Sequence, residues 1–250
     1  MFIEFSLSVV GISFLLGFVG TILWKKDSTQ WKTFLFFYTF LPAVICIVVF
    51  YVLTNTWSLG DFSFTKFDLR YTALGLLIPI VFQSINLLVQ LQRSSYAFKA
   101  GTDLKKVIPI ILVNVAVLIL FVSGEEIGWR GFIQSQAIER YGSIVGVLLL
   151  GLVWGFWHAP VALRGHNLNA YFWAEAFVLY PYMCICYSFP MAFLTLQSGS
   201  IWPAILFHAA NNALGTINIQ FVDKKNPKLE ILIQMVIATL FLLPFAFFLI

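Results

Sequence analysis

The chain has 250 residues, of which 60% are hydrophobic and only 10% charged, with a mean hydropathy of +0.91 and a net charge of +4. A soluble domain carries about 25% charged residues, so this composition excludes an ordinary globular protein and implies a polytopic membrane protein. The positive charge is spread over loops and requires no nucleic-acid partner. The predicted fold is all-α: a single membrane domain over residues 1–250, with about eight transmembrane helices around a polar intramembrane cavity. A tilted helix needs about 20 apolar residues to cross the hydrocarbon core. The spans read as Phe5–Trp24, Phe34–Thr54, Tyr71–Leu91, Val107–Trp129, Ser143–Leu163, Tyr171–Leu196, Ile201–Ile217 and Ile231–Ile250. The fourth and seventh read as the weakest in hydropathy.

The first span lacks a basic start and an A-x-A-like cleavage site and is followed by Lys25 and Lys26, which favours an uncleaved anchor over a signal peptide. The C-terminal end carries no lipid-attachment or retention signature. The loop Asn55–Arg70 mixes aromatic and polar residues, as a headgroup-level turn does. Residues 131–141 place Phe132, Ile133, Ala137 and Ile138 at helical spacing, an amphipathic continuation of the fourth helix. Loops after odd-numbered spans hold Lys25, Lys26, Lys32, Arg93, Lys99, Lys105, Lys106, Arg164, Lys224, Lys225 and Lys228. Loops after even-numbered spans hold only Lys66, Arg70, Arg130 and Arg140. The positive-inside rule then puts both termini outside the cytoplasm. Cys46, Cys184 and Cys186 all lie in apolar spans and read as small hydrophobes, without a second ligand pair for a metal.

The segment Glu125–Phe132, EEIGWRGF, closes the apolar stretch Val107–Val122. A charged side chain at mid-bilayer costs roughly 2.5–3.5 kcal/mol, so Glu125, Glu126 and Arg130 together reach about 8–10 kcal/mol if unpaired. Groups at that cost pair, line a cavity or do chemistry. Glu126 and Arg130, four apart, share a helix face and offset each other's desolvation. Glu125 lies about 100° round the helix from Glu126. Trp129 places an apolar ring on the Glu125 face, a setting in which a glutamate serves as general base or acid near neutral pH. The bland alternative is an acid cluster that only locks helices together.

Two further segments carry polar groups into spans. In WGFWHAP, Trp154 lies one turn before His158. In FHAANN, His208 and Asn212 are four apart and project together. Each taken alone is commonly a hydrogen-bonded core residue. Together with Glu125 they supply a base, an imidazole able to share its proton, and a second imidazole beside an amide donor, the parts that peptide hydrolysis needs. The set Glu125, His158 and His208 would equally present a carboxylate and two imidazoles to Zn²⁺ with an open position.

EExxxR, aromatic-xxx-His and HxxxN, in that order on successive membrane helices, closely resemble the CPBP family, which comprises the CAAX prenyl endopeptidases and the bacteriocin-processing or immunity (Abi) proteins. The resemblance covers residues 107–217, the core helices. It implies an intramembrane endopeptidase, multi-pass in a bacterial cell membrane, acting on a membrane-associated or membrane-accessible peptide or protein. By that resemblance Glu125 activates water with His158 beside it, and His208 with Asn212 stabilises the oxyanion. Glu126 and Arg130 support them, and Trp129 and Trp154 supply aromatic walls. The family usually shows Phe where this chain has Trp154. A glutamate-type mechanism with no metal is favoured over a zinc-dependent one.

HExxH, GxSxG and paired-aspartate signatures of other proteases are absent, the Gly60-Asp61 dipeptide lying in a loop. His166 reads as a solvated loop residue, Glu175 as a lesser cavity residue, and Gln83, Asn86 and Asn114 as helix-stitching groups. The competing readings are a transporter or proton-coupled carrier, since intramembrane Glu, His and Arg also mark ion pathways, and a non-catalytic immunity protein. Glu125 and His158 sit at opposite ends of simple crossings, and they meet only if the fourth helix runs on through about residue 138.

Overall fold

The computed structural model describes residues 2–56, 63, 66–164 and 171–250. His166 and the Gly60-Asp61 dipeptide lie outside the described residues. The chain forms α1 (Phe2–Leu23), α2 (Thr29–Tyr38), α3 (Leu41–Thr54), α4 (Leu69–Gln92), β1 (Tyr96–Phe98), α5 (Val107–Gly128), α6 (Gln134–Tyr141) and α7 (Ser143–Trp157). It continues through α8 (Ala159–Leu163), α9 (Phe172–Ala174), α10 (Tyr180–Ser198), α11 (Trp202–Gln220), β2 (Val222–Lys224) and α12 (Pro227–Phe241). Side-chain caps set several starts: Ser28 accepts from the Trp31 amide, Asp68 from Tyr71 and Asn226 from Leu229.

Six helical stretches among the described residues are long and apolar enough to cross a membrane, or seven if the bent pair α2–α3 is one span. The polytopic helical bundle is as expected, and the second expected span is this pair, bent by 41°. The expected seventh span is helical as α11, with the polar His208, Asn211 and Asn212 along it. The fourth span is not weak in hydropathy: Val107–Tyr141 holds the most apolar window, with a mean of 2.7. Its acids come at the end of that window. Leu7, Val52, Leu120 and Leu240 stand exposed on the outside of the bundle, as helices packed against lipid require.

The fourth span does run on past the acid pair. Residues 107–141 form one helical stretch of 35 residues, about 52 Å long against a core of about 30 Å. It widens to a π-turn at Trp129–Ile133, a local change of winding that often marks functional sites. Gly142, at φ 77°, turns the chain so that α7 returns along α6. Counting back 17 residues from Gly142 reaches Glu125 and counting on 16 reaches His158, so the two arrive at one level. On its other face α7 meets α10 backbone to backbone: a Cβ on Gly155 would come within 2.2 Å of the Pro181 Cα.

The helices α4 and α11 run parallel in constant register. Gln83 Nε2–H donates to Asn211 Oδ1 at 2.7 Å, and beyond the helix ends Tyr96 pairs with Lys224 in an antiparallel two-stranded sheet. The helix α5 runs the opposite way along α11, bonded through Asn114 and Thr216 at 3.1 Å and through Glu126 and His208 at 2.8 Å. The sheet thus gathers the lysines following α4 and α11 at one end of the bundle, consistent with their shared loop set.

Candidate active site

Pro160 shapes the first part of the site. Lacking an N–H, it cannot continue the hydrogen-bond ladder of α7, and α7 stops at Trp157 with His158 as its C-cap. His158 Nδ1 lies 2.9 Å from the Trp154 carbonyl. A carbonyl only accepts, so this nitrogen carries the proton and Nε2 is left as the ring's other face. The imidazole stacks on Tyr180, with centroids 4.6 Å apart and planes within 5°. Cys184 Sγ lies 3.9 Å from the same Nδ1. The three cysteines are free and buried, as expected.

Glu125 and Glu126 take different partners. The Trp154 indole N–H donates to Glu125 Oε2 at 3.1 Å. Glu126, fully buried, is held by Arg130 Nη1 at 3.1 Å from Oε2 and by His208 Nδ1 at 2.8 Å from Oε1. Arg130 in turn donates to Ser188 Oγ at 3.1 Å, and its guanidinium lies 4.0 Å above the Trp154 ring. The same ring meets His208 edge-on at 5.3 Å. Trp154 therefore touches Glu125, Arg130, His158 and His208. Trp129, expected on the Glu125 face, bonds through its amide to the Glu125 carbonyl, is wholly buried at the start of the π-turn and packs edge-on against Trp157.

One cavity of about 490 Å³ is lined by Glu125, Trp154, His158, His208 and Asn212. Glu126 and Arg130 pair behind its wall. Asn211 Nδ2–H donates to Asn212 Oδ1 at 3.4 Å, and Glu175, buried beside a second π-turn at Glu175–Leu179, also lines the cavity. Gln83 and Asn86 join the lining, while Asn114 bonds across to Thr216. Among the described residues no three His, Cys, Asp or Glu side chains stand together as a metal-binding group, so Glu125, His158 and His208 are not arranged as one. Sequence reasoning passed over Asn211, although it adjoins Asn212, and Ser188, a lone serine in an apolar helix. It also passed over Tyr96, Lys224 and Glu230, which are distant from the motifs in sequence but lie on the same cavity.

Residues 106–214 match the model of a family described as type II CAAX prenyl endopeptidase Rce1-like. Over that segment the chain is similar to the CPBP family, as its motifs suggest. It is also similar to a protein named CAAX prenyl protease 2 from Methanococcus maripaludis, at 25% identity over 131 residues. That match covers 48% of this chain and 46% of the relative, so the chain spans about half the length of the curated relative it matches. The matched segment contains Glu125, Glu126, Arg130, His158, His208 and Asn212 and begins one residue before α5.

Proposed function

We propose that this chain is an intramembrane endopeptidase of the CPBP family that hydrolyses peptide bonds of a membrane-associated or membrane-accessible peptide or protein, in a bacterial cell membrane, with residues 107–217 as its catalytic core. The observation that carries the reading is the meeting of Glu125, His158, His208 and Asn212 on one cavity, from three separate stretches of sequence. The family match adds support. An endopeptidase of this kind needs a polar pocket, a base, and donors at the developing oxyanion.

In this reading the indole N–H fixes Oε2 of Glu125, and a water is activated at the carboxylate with His158 beside it. Glu125 takes a proton from the water as its oxygen attacks the scissile carbonyl carbon. The carbonyl oxygen becomes an oxyanion, met by Asn212 Nδ2–H and by Nε2–H of a His208 imidazolium whose Nδ1–H donates to Glu126. The tetrahedral carbon then expels the amine as the C–N bond breaks, and the proton held by Glu125 passes to the leaving nitrogen. Arg130 and Glu126 form the rigid frame behind. A glutamate-type mechanism is favoured because Asn212, sharing the His208 face, is a poor zinc ligand and a good oxyanion donor. The test is cleavage of a peptide library by purified protein: the wild type yields new termini and Glu125→Ala yields none. Equal products from both would overturn the assignment.

A further inference from the structure

Past Glu125 the cavity is lined by residues of α4, α11 and α12 and of the β1–β2 end of the bundle. Its lining there is Asn86, Thr216, Tyr96, Lys224, Glu230 and Gln234. From His208 to Thr216 is eight residues of helix, about 12 Å. At about 3.4 Å per residue, a run of that length holds about three residues of extended peptide.

The chemistry at the far end matches such a guest. Glu230 is buried, and its Oε1 receives both the Tyr96 hydroxyl and the Lys224 ammonium at 2.7 Å. Its Oε2, also buried, has no hydrogen-bond partner among the described residues. A buried carboxylate oxygen without a donor is destabilising, and a bound donor relieves it. Burial, and then the neighbouring Glu230 charge, raise the Tyr96 phenol pKa, so Tyr96 stays a neutral donor. Lys224 is one-quarter exposed, with N–H groups beyond the one spent on Glu230. The pair therefore holds a donor and an acceptor side by side. A residue of a neighbouring strand offers the same face, because the N–H and C=O of one extended residue point to the same side. A cationic guest would meet Lys224 and an anionic one Glu230, whereas a neutral peptide unit satisfies both. An extended backbone taken into a membrane bundle must find such partners.

We propose that Lys224 and Glu230 form a main-chain docking site for an extended peptide substrate. On docking, the Glu230 carboxylate turns so that Oε2 accepts the N–H of one residue, and Lys224 Nζ donates to its C=O, about three residues from the bond offered to Glu125. The proposal rests on the peptidase reading for its choice of guest, but it is tested by binding. The probe is a capped octapeptide selected from a library for binding to the Glu125→Gln protein in detergent, together with its eight single N-methyl analogues. N-methylation at one position lowers affinity about tenfold, while alanine at the same position does not. In Lys224→Met/Glu230→Met, which removes the pair without stranding a charge, that penalty disappears. No bound peptide, no single sensitive position, an equal loss with alanine, or a penalty unchanged in the double variant would each overturn the site. Should the double variant fail to fold, the N-methyl scan on the Glu125→Gln protein decides alone. Cleavage by the wild type is scored separately: a retained scan with no cleavage sinks the peptidase reading and leaves the docking site standing.

Discussion

Trp154→Phe separates the aromatic wall from the hydrogen bond that the wall supplies. The phenyl ring can still lie beneath the Arg130 guanidinium, now 4.0 Å from the indole, and beside His208. What it cannot do is donate to Glu125 Oε2, which the indole N–H reaches at 3.1 Å. A hydrogen bond to a charged group contributes about 1.5–3 kcal/mol. If it holds Glu125 in its reactive orientation, its loss lowers kcat roughly 10- to 150-fold at about 1.4 kcal/mol per decade. The peptide contacts elsewhere in the cavity are untouched, so KM stays within about twofold. Losing the larger ring costs folding about 1–2 kcal/mol, because the Glu126–Arg130–His208 frame remains. The assay is kcat and KM on a cleaved peptide, with melting temperature measured alongside. A well-folded Trp154→Phe protein with wild-type kcat would refute the positioning role, and an effect confined to KM would refute it equally.

Three further outcomes follow from the same geometry. Asn212→Ala lowers kcat about 10²- to 10³-fold with the fold intact, as loss of one oxyanion donor does; unchanged turnover in steady-state kinetics would remove Asn212 from the mechanism. Arg130→Ala leaves the fully buried Glu126 with one cationic partner fewer and destabilises the protein by about 3–5 kcal/mol. It shows in lowered expression and melting temperature, and wild-type stability would contradict a structural role for the pair. Activity survives treatment with a strong chelator, and elemental analysis finds well under one metal per chain. Stoichiometric zinc, lost together with activity and restored on adding the metal back, would reverse the glutamate-type assignment.

The spans were legible because a lipid-facing helix announces itself by length and apolarity alone; Ser143–Leu163 has the same bounds in the sequence reading and in the structure. The continuation past Glu125 was legible from the amphipathic spacing of Phe132, Ile133, Ala137 and Ile138. Its π-turn was not, since no residue type signals an extra residue per turn. The Glu126–Arg130 pair followed from i,i+4 geometry. The second partner of Glu126 did not: helical spacing puts His208 with Asn212, but only the packing of α5 against α11 brings its Nδ1 to Glu126. Trp154 was read as a wall because its ring is obvious in sequence and its N–H partner is not. The Lys224–Glu230–Tyr96 group was hidden more deeply. Its members read as loop and helix-end residues until β1 pairs with β2.

Hydrolysis by Glu125→Gln beside the wild type tests the central claim most directly. The amide keeps the shape of the carboxylate but cannot take a proton from water. With melting temperatures of the two proteins matched, mass spectrometry of one peptide substrate should find cleavage by the wild type and none above background by Glu125→Gln. Near-normal cleavage by the folded variant, or no cleavage of any peptide by the wild type, would contradict the account.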